Sequence, residues 1–304
     1  MTHVGTAHPS VLERADGIVC ALLTPYRADG SIATDVLQAH TESLIADGID
    51  GLYVCGSTGD GVMLDADSRV QCVEAVAAAT SGAVPIIAHV GTNSTDMTLS
   101  LAERSVAAGA DAVSSILPSV PLTAAESRGY FLDVVRSSPA PFIAYNFPAR
   151  SGVGLPQDLL AELAEEPNLY GLKNTSGDIF EMSAFARLRE GTLRVWNGHD
   201  EVIYAGLSVG ACGAIGSTFN AFPRIYKDLF TAFRSGDHPE ALRLQHQVED
   251  LVRVLVKFGV MPSLRAILTA RGVKMGPSRR PQHDLDASDR SQLLSDIADL
   301  NLPV

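Results

Sequence analysis

Lysine is scarce in this 304-residue chain: four lysines stand beside nineteen arginines. Basic charge as a whole is short, with 23 Lys and Arg against 35 Asp and Glu and a formal net charge of -12. Such a surface repels a phosphate backbone, so nucleic acid is excluded as an expected partner. No block of like charges marks an interaction tail. The four cysteines (Cys20, Cys55, Cys72, Cys212) match no zinc spacing. A disulfide framework is not expected in a chain long enough to bury its own core, so they read as reduced and mostly buried thiols. The eight histidines are scattered without an HExxH or paired-ligand pattern, so no metal is expected. The opening segment "MTHVGTAHPSVLERADG" has no signal-peptide apolar core. Nor is there a run of about 18 apolar residues to span a bilayer. These absences lead to the expectation of a cytoplasmic protein with neither metal nor membrane partner.

What is present is a repeated alternation of short apolar runs with longer amphipathic ones. "GIVCALLTP" (17–25) reads as a strand and "ATDVLQAHTESLIADG" (33–48) as a helix closed by Gly48. The pattern recurs through strands at 51–56, 84–91, 111–118, 140–148, 168–175, 193–198 and 212–217. The helices between and after them fall at 67–82, 94–109, 123–138, 155–166, 179–190, 201–210 and 221–236. Eight strand–helix pairs at roughly 25-residue spacing predict an α/β fold, a closed parallel (β/α)8 TIM barrel. An open doubly wound sheet usually has fewer units and a GxGxxG after an early strand, and "TPYRADGS" after the first strand carries none. Further helices are predicted at 240–259, 262–272 and 288–300. The predicted organisation is therefore a barrel over 1–236 with C-terminal helices over 237–304 packed on it as one structural unit.

In such a barrel the chemistry sits where strands end. Lys173 ends the sixth strand in "GLKNTSGD", whereas Lys227, Lys257 and Lys274 fall in helical or C-terminal segments that read as solvated. A lysine drawn into a barrel mouth loses hydration, which favours the free amine, and a free amine forms a Schiff base with a ketone or aldehyde. The plainer alternative is a lysine paired with a carboxylate or reaching out to water. "CGSTGDG" (55–61) after the second strand offers backbone N–H groups and the hydroxyls of Ser57 and Thr58 as an anion nest, or is only a glycine-rich turn. "AYNFPAR" (144–150) after the fifth offers Tyr145 as a proton relay and Arg150 as a carboxylate clamp; a core tyrosine and a surface arginine are the alternatives. "WNGHDE" (196–201) places Asp200 and Glu201 at the seventh strand end, for hydroxyls, a metal or a helix cap. "AIGSTFN" (214–220) adds the donors Ser217 and Thr218. Two carboxylates just before this last region argue against phosphate and for an uncharged polyhydroxylated group.

Taken together, "GSTGD", "YNFPAR", "GLKNTSGD", "GHDE" and "IGSTFN" occur in an order that resembles the pyruvate-dependent aldolase superfamily of dihydrodipicolinate synthase and N-acetylneuraminate lyase. The resemblance covers residues 15 to 280. It implies Lys173 as the Schiff-base lysine, Tyr145 as the proton relay, and Ser57 and Thr58 as holders of the pyruvate carboxylate. Similarity to the sialic acid lyase branch further implies that Thr175, Gly198, Asp200, Glu201 and Ser217 line a pocket for sugar hydroxyls. No cofactor is implied, because the lysine iminium is itself the electron sink. The partners implied are pyruvate plus an aldehyde, and the assembly a homotetramer, a dimer of dimers.

Four positions depart from the pattern. Asp60 replaces the usual glutamate of the glycine turn and is expected to be structural. Arg150 stands where the synthase branch has a carboxylate-binding arginine and the sialic acid lyases usually have an apolar residue. Ser119 and Val120 occupy the place of the synthases' tyrosine pair, one of which crosses a subunit interface. Arg150 and the hydroxyl-binding set together fit a carboxylate-bearing acceptor, as a 2-keto-3-deoxy sugar acid yields. The resemblance leaves open an aldolase, a dihydrodipicolinate synthase, or a dehydratase or deaminase using the same imine. Outside it stand a barrel enzyme with Asp200 or Glu201 as general base and a non-catalytic 2-oxo acid sensor.

Overall fold

Eight short strands close on themselves in chain order in the computed structural model, which describes residues 9–302. They are β1 (Ile18–Ala21), β2 (Gly51–Val54), β3 (Ile86–His89), β4 (Ala112–Ile116), β5 (Phe142–Asn146), β6 (Leu169–Asn174), β7 (Arg194–Asn197) and β8 (Gly213–Gly216). All pairings are parallel, and Ile18 of β1 meets Ala214 of β8 to complete the ring. The helices after the strands are α1 (Thr34–Ala46), α2 (Ala66–Thr80), α3 (Thr95–Ala107), α4 (Ala124–Ser137), α5 (Gln157–Leu163), α6 (Ile179–Ala186), α7 (Ile203–Ser208) and α8 (Pro223–Arg234). The (β/α)8 barrel expected from the sequence is thus the observed architecture.

Local sequence explains where these elements begin. Asp65, Ser94 and Asp178 each accept a hydrogen bond from the backbone N–H three residues on, satisfying an otherwise orphaned helix donor. Thr123 and Glu126 form a reciprocal capping box at α4. α6 ends earlier than its sequence pattern suggests, at Ala186, because Arg189 and Glu190 take left-handed backbone angles.

Side-chain alternation splits the apolar residues into two layers. Ile18, Cys20, Leu52, Val54, Ile86, Val113, Phe142, Leu172 and Val195 face the helices. Val19, Ala21, Tyr53, Ile87, Ala112, Ile143, Tyr145, Trp196 and Ile215 fill the barrel interior. Period-two alternation of this kind fixes which residues can reach the mouth.

Three more helices complete the chain: α9 (His238–Phe258), α10 (Val260–Ala270) and α11 (Ala287–Asp299). They pack on the barrel and on one another. The Gln245 side chain of α9 accepts from the Tyr204 N–H in the first turn of α7. Arg265 of α10 reaches the glycine turn after β2, where it pairs with Asp60 at 3.1 Å. No helix among the described residues is long and apolar enough to cross a membrane.

Candidate active site

Lys173 reaches the barrel interior because β6 contains an irregularity. Phe142 pairs with Leu169 but its neighbour Ile143 pairs with Gly171, so Tyr170 is an extra residue in the ladder. Leu169 faces the helices, and strict alternation would send Lys173, an even number of steps further on, to the same side. The extra residue inverts the parity, and a bulge of this kind re-aims the side chains after it. A Cβ on Gly171 would lie 2.7 Å from the Trp196 indole, so the interior at this level accepts only glycine.

The lysine is 4% exposed. Its Nζ lies 4.4 Å from the ring centroid of Tyr53 and 4.3 Å from that of Tyr145. Lys227 and Lys257 are paired with Asp50 and Asp296, and Lys274 is exposed. Lys173 has no such carboxylate partner among the described residues. The two aromatic faces lie against Nζ without occupying the nitrogen as an ion pair would.

Tyr145 is the strand neighbour of Lys173 in the β5–β6 ladder. Its ring stands edge-on to Tyr53 and His89 at 6.1 and 6.2 Å and stacks on Phe147 at 5.8 Å. The Tyr53 hydroxyl donates to Ser114 Oγ at 2.9 Å, which fixes the ring beneath the lysine. Burial pushes the His89 imidazole well below the ordinary histidine range, and the charges of Arg69, Lys173 and Arg150 push the same way. His89 is therefore neutral at neutral pH. In keeping with that, its Nε2 lies 3.4 Å from the Ile116 N–H as an acceptor. Tyr53 and His89 are not among the sequence-predicted site residues. Their parity on β2 and β3, opposite to Leu52, Val54 and Ile86, is the signal that could have found them.

The turn after β2 is folded tightly on itself. The Gly61 N–H donates to the Gly56 carbonyl, and a Cβ on Gly61 would fall 1.8 Å from the Cys55 carbonyl. The N–H groups of Ser57 and Thr58 point to no backbone acceptor among the described residues, so they are free for an anion. Asp60, buried and with φ of +58°, anchors the turn from behind. It accepts from the Tyr26 hydroxyl, Arg265 and Gln282, in line with the structural role expected for it. Burial raises its carboxyl above the ordinary range, and the Arg265 charge opposes that rise.

At the β6–β8 strand ends, Gly198 N–H donates to the Asn174 carbonyl at 2.8 Å, and Thr175 N–H to the Asn146 carbonyl at 2.8 Å. Thr175 Oγ1 is buried with no partner in the described residues. Asp200 does not cap α7, whose first turn has no side-chain cap. Its Oδ2 instead accepts from the Thr218 N–H at 2.9 Å and hydroxyl at 2.7 Å, with Ser217 Oγ at 3.5 Å, bracing the β7 loop against the β8 loop. Burial raises its carboxyl, and the Thr218 bonds oppose this. Glu201 is half-buried, with His199 Nδ1 at 3.2 Å from its Oε1. Arg150 is exposed in the helical turn Pro148–Ser151 and has no carboxylate partner among the described residues. Ser119 and Val120 are exposed on the β4–α4 loop. All ten predicted site residues thus belong to the C-terminal end of the barrel, with Arg150 at its rim. No cluster of metal-ligating side chains occurs among the described residues.

Residues 14–300 match the model of the dihydrodipicolinate synthetase family. An N-acetylneuraminate lyase of Rhizobium meliloti is 38% identical over 291 residues, covering 94% of this chain and 95% of that one. The solved N-acetylneuraminate lyase of Proteus mirabilis superposes with a TM-score of 0.88 at 31% identity, over 94% of this chain and 99% of that one. A catalytic-lysine mutant of the Ruminococcus gnavus sialic acid aldolase superposes with a TM-score of 0.90 at 28% identity, over 95% and 97% of the two chains.

Proposed function

This chain belongs to the dihydrodipicolinate synthetase family and is a lyase of the Schiff-base aldolase kind, and we propose that it acts through an imine at Lys173 on a polyhydroxylated 2-oxo acid. The observation that carries this reading is the amine of Lys173, buried in the barrel mouth between two tyrosine rings and free of a carboxylate. The Ruminococcus gnavus aldolase of the same fold has a catalytic lysine, which supports giving that role to the one buried lysine here.

The steps derive from the donors present. The substrate carboxylate rests on the free N–H groups and hydroxyls of Ser57 and Thr58. Lys173 Nζ attacks the C2 ketone, and loss of water leaves an iminium. The Tyr145 phenol takes the proton of the C4 hydroxyl as its own proton passes to the substrate carboxylate, the C3–C4 bond breaks, and the electron pair of that bond passes into the iminium to give an enamine. An aldehyde departs. The enamine takes a proton at C3, and hydrolysis of the imine releases pyruvate and restores the amine. Condensation is the same path reversed, and no separate cofactor is needed because the iminium stores the electrons. Thr175, Gly198, Glu201 and Ser217 line the distal pocket, with Asp200 holding its two loops together.

For the substrate, the unpaired Arg150 at the rim favours a carboxylate at the far end of the molecule, and Thr175 and Glu201 favour hydroxyls between. A 2-keto-3-deoxy sugar acid carries these hydroxyls and can be terminated by an acid group; N-acetylneuraminate is the other candidate of the class. Arg150 also supports a second reading, condensation of pyruvate with aspartate semialdehyde as in dihydrodipicolinate synthases. The exposed Ser119 and Val120, in place of the synthases' tyrosine pair, disfavour it. A dehydratase or deaminase would use the same imine and expel water or ammonia. We place the protein in the cytoplasm as a homotetramer. A surface groove of about 710 Å³ lies outside the mouth between the β2 and β3 loops. With Val62 and Met97 exposed on its lining and Val120 exposed next to Ser119 at its edge, it is the surface a second copy would cover.

The test is a pyruvate-release assay across N-acetylneuraminate, 2-keto-3-deoxygluconate and related acids, run beside a condensation assay with aspartate semialdehyde. Release from a polyhydroxylated acid is expected. Strong turnover of the semialdehyde with none of the sugar acids would overturn the substrate assignment.

A further inference from the structure

Glu201 faces the distal pocket, but a carboxylate on a loop discriminates poorly between substrates unless something holds it. The loop Gly198–Glu201 between β7 and α7 is laid directly on the end of β6. A Cβ at Gly198 would sit 2.0 Å from Thr175 Oγ1 and 3.0 Å from the Asn174 carbonyl, so only glycine permits this approach. The loop therefore carries its next residues, His199 to Glu201, past the end of β6. His199 Nδ1 lies 3.2 Å from Glu201 Oε1, with the two side chains 32% and 41% exposed. The Thr175 backbone carbonyl also acts on the ring. Glu201 Oε2 has no hydrogen-bond partner among the described residues, and Thr175 Oγ1 is buried and equally unpartnered. Two groups that seek hydrogen bonds thus stand within this loop and the strand end it lies on.

We propose that His199 is a positioning residue for substrate specificity: hydrogen-bonded to Glu201 on a loop laid against Thr175, it aims the free carboxylate oxygen of Glu201 at the hydroxyls of the substrate beyond C4. This rests on the reading of Lys173 as the imine-forming residue. A carboxylate accepts only, so the ligand groups it fits are hydroxyl or amide donors. Together with the unpartnered Thr175 Oγ1, it suits a chain bearing several hydroxyls. His199 takes no part in imine formation or C–C cleavage, so its contribution appears in binding of the tail and not in turnover.

The hydrogen bond between His199 Nδ1 and Glu201 Oε1 is strongest when imidazolium faces carboxylate. The hydrogen bond to Glu201 raises the His199 pKa above its ordinary value; burial opposes this, while the Glu201 and Asp200 charges and the Thr175 carbonyl add to the rise. The charges that act on the ring are these two carboxylates of its own loop. The ion pair is accordingly complete at low pH and weakens as pH climbs through the elevated His199 pKa.

The experiment compares two substrates, a polyhydroxylated 2-oxo acid and a truncated 4-hydroxy-2-oxo acid with no further hydroxyls. In His199→Phe, the KM of the long substrate is expected to rise about tenfold with kcat within about twofold, the signature of lost uniform binding. The KM of the short substrate stays within about twofold. His199→Gln, which keeps one donor, recovers part of the loss. Adding Glu201→Gln to His199→Phe costs little more than either change alone, because the two act as a unit. In the unmodified protein the KM of the long substrate rises at alkaline pH, and that limb disappears in His199→Phe. An equal rise in KM for both substrates, or no rise for either, overturns the proposal. Borohydride trapping of pyruvate on the same preparations separates the two failures. If the unmodified protein forms no adduct, the imine reading falls and this inference with it; if the adduct forms but the substrate difference does not appear, this inference falls alone.

Discussion

Each end of the barrel holds a basic side chain against aromatic rings, and the two differ in whether a carboxylate joins them. At the floor, where the strands begin, the Arg194 guanidinium lies 5.0 Å from the Tyr170 ring and is bound to Asp16 at 2.9 Å. Tyr170 stacks on Trp196, whose indole N–H donates to the Ala15 carbonyl at 2.6 Å, sealing the interior. At the mouth, Lys173 lies against Tyr53 and Tyr145 with no carboxylate among the described residues to neutralise it. The same contact is a closed plug at one end and leaves a free nitrogen at the other. The presence or absence of a carboxylate partner, more than the aromatic contact, separates stability from chemistry in this fold.

Removing the mouth lysine has the largest expected effect. Lys173→Ala should lower turnover on the order of a thousandfold or more, with the far-ultraviolet circular dichroism spectrum unchanged. Activity that survives within tenfold would place the chemistry elsewhere. At the floor, Trp196→Ala should cost about 3–5 kcal/mol of stability in denaturant titrations, since it empties the largest buried side chain of the interior. A loss below 1 kcal/mol would show that the plug is not where the barrel is held. Tyr145→Phe keeps the ring against Lys173 and removes only the hydroxyl. Cleavage should fall about a hundredfold, while borohydride still traps pyruvate, because imine formation precedes the proton transfer. The smallest effect belongs to the floor cation. Arg194→Ala should change stability by no more than about 1 kcal/mol, as for other partly exposed pairs, and leave kcat within about twofold. A large kinetic effect there would erase the distinction between the two ends.

The barrel is legible in the sequence because each unit repeats the same signal, a short apolar run, a turn, and a helical period. Lys173 stands out for the same kind of reason, as a scarce residue type at the end of such a run. Alternation alone does not show how Lys173 turns inward, since the parity change at Tyr170 depends on pairing with Phe142 and Ile143 on another strand. The Asp60–Arg265 pair joins residues 205 apart in sequence, so the local sequence holds only the acidic half of it. Asp200 reads in the sequence as a helix cap or a sugar ligand, and its commitment to Thr218 depends on how two loops meet. His199 gives no signal of its own, because a single histidine beside two carboxylates has no spacing rule; its meaning comes from Gly198 lying on Thr175.

The central claim is that the amine of Lys173 joins covalently to a keto carbon. Incubating the protein with pyruvate and sodium borohydride, then mapping the peptides by mass spectrometry, tests it most directly. The account predicts an irreversible adduct on the peptide that carries Lys173 and on no peptide that carries Lys227, Lys257 or Lys274. An unmodified Lys173 under conditions where the protein cleaves its substrate would contradict it.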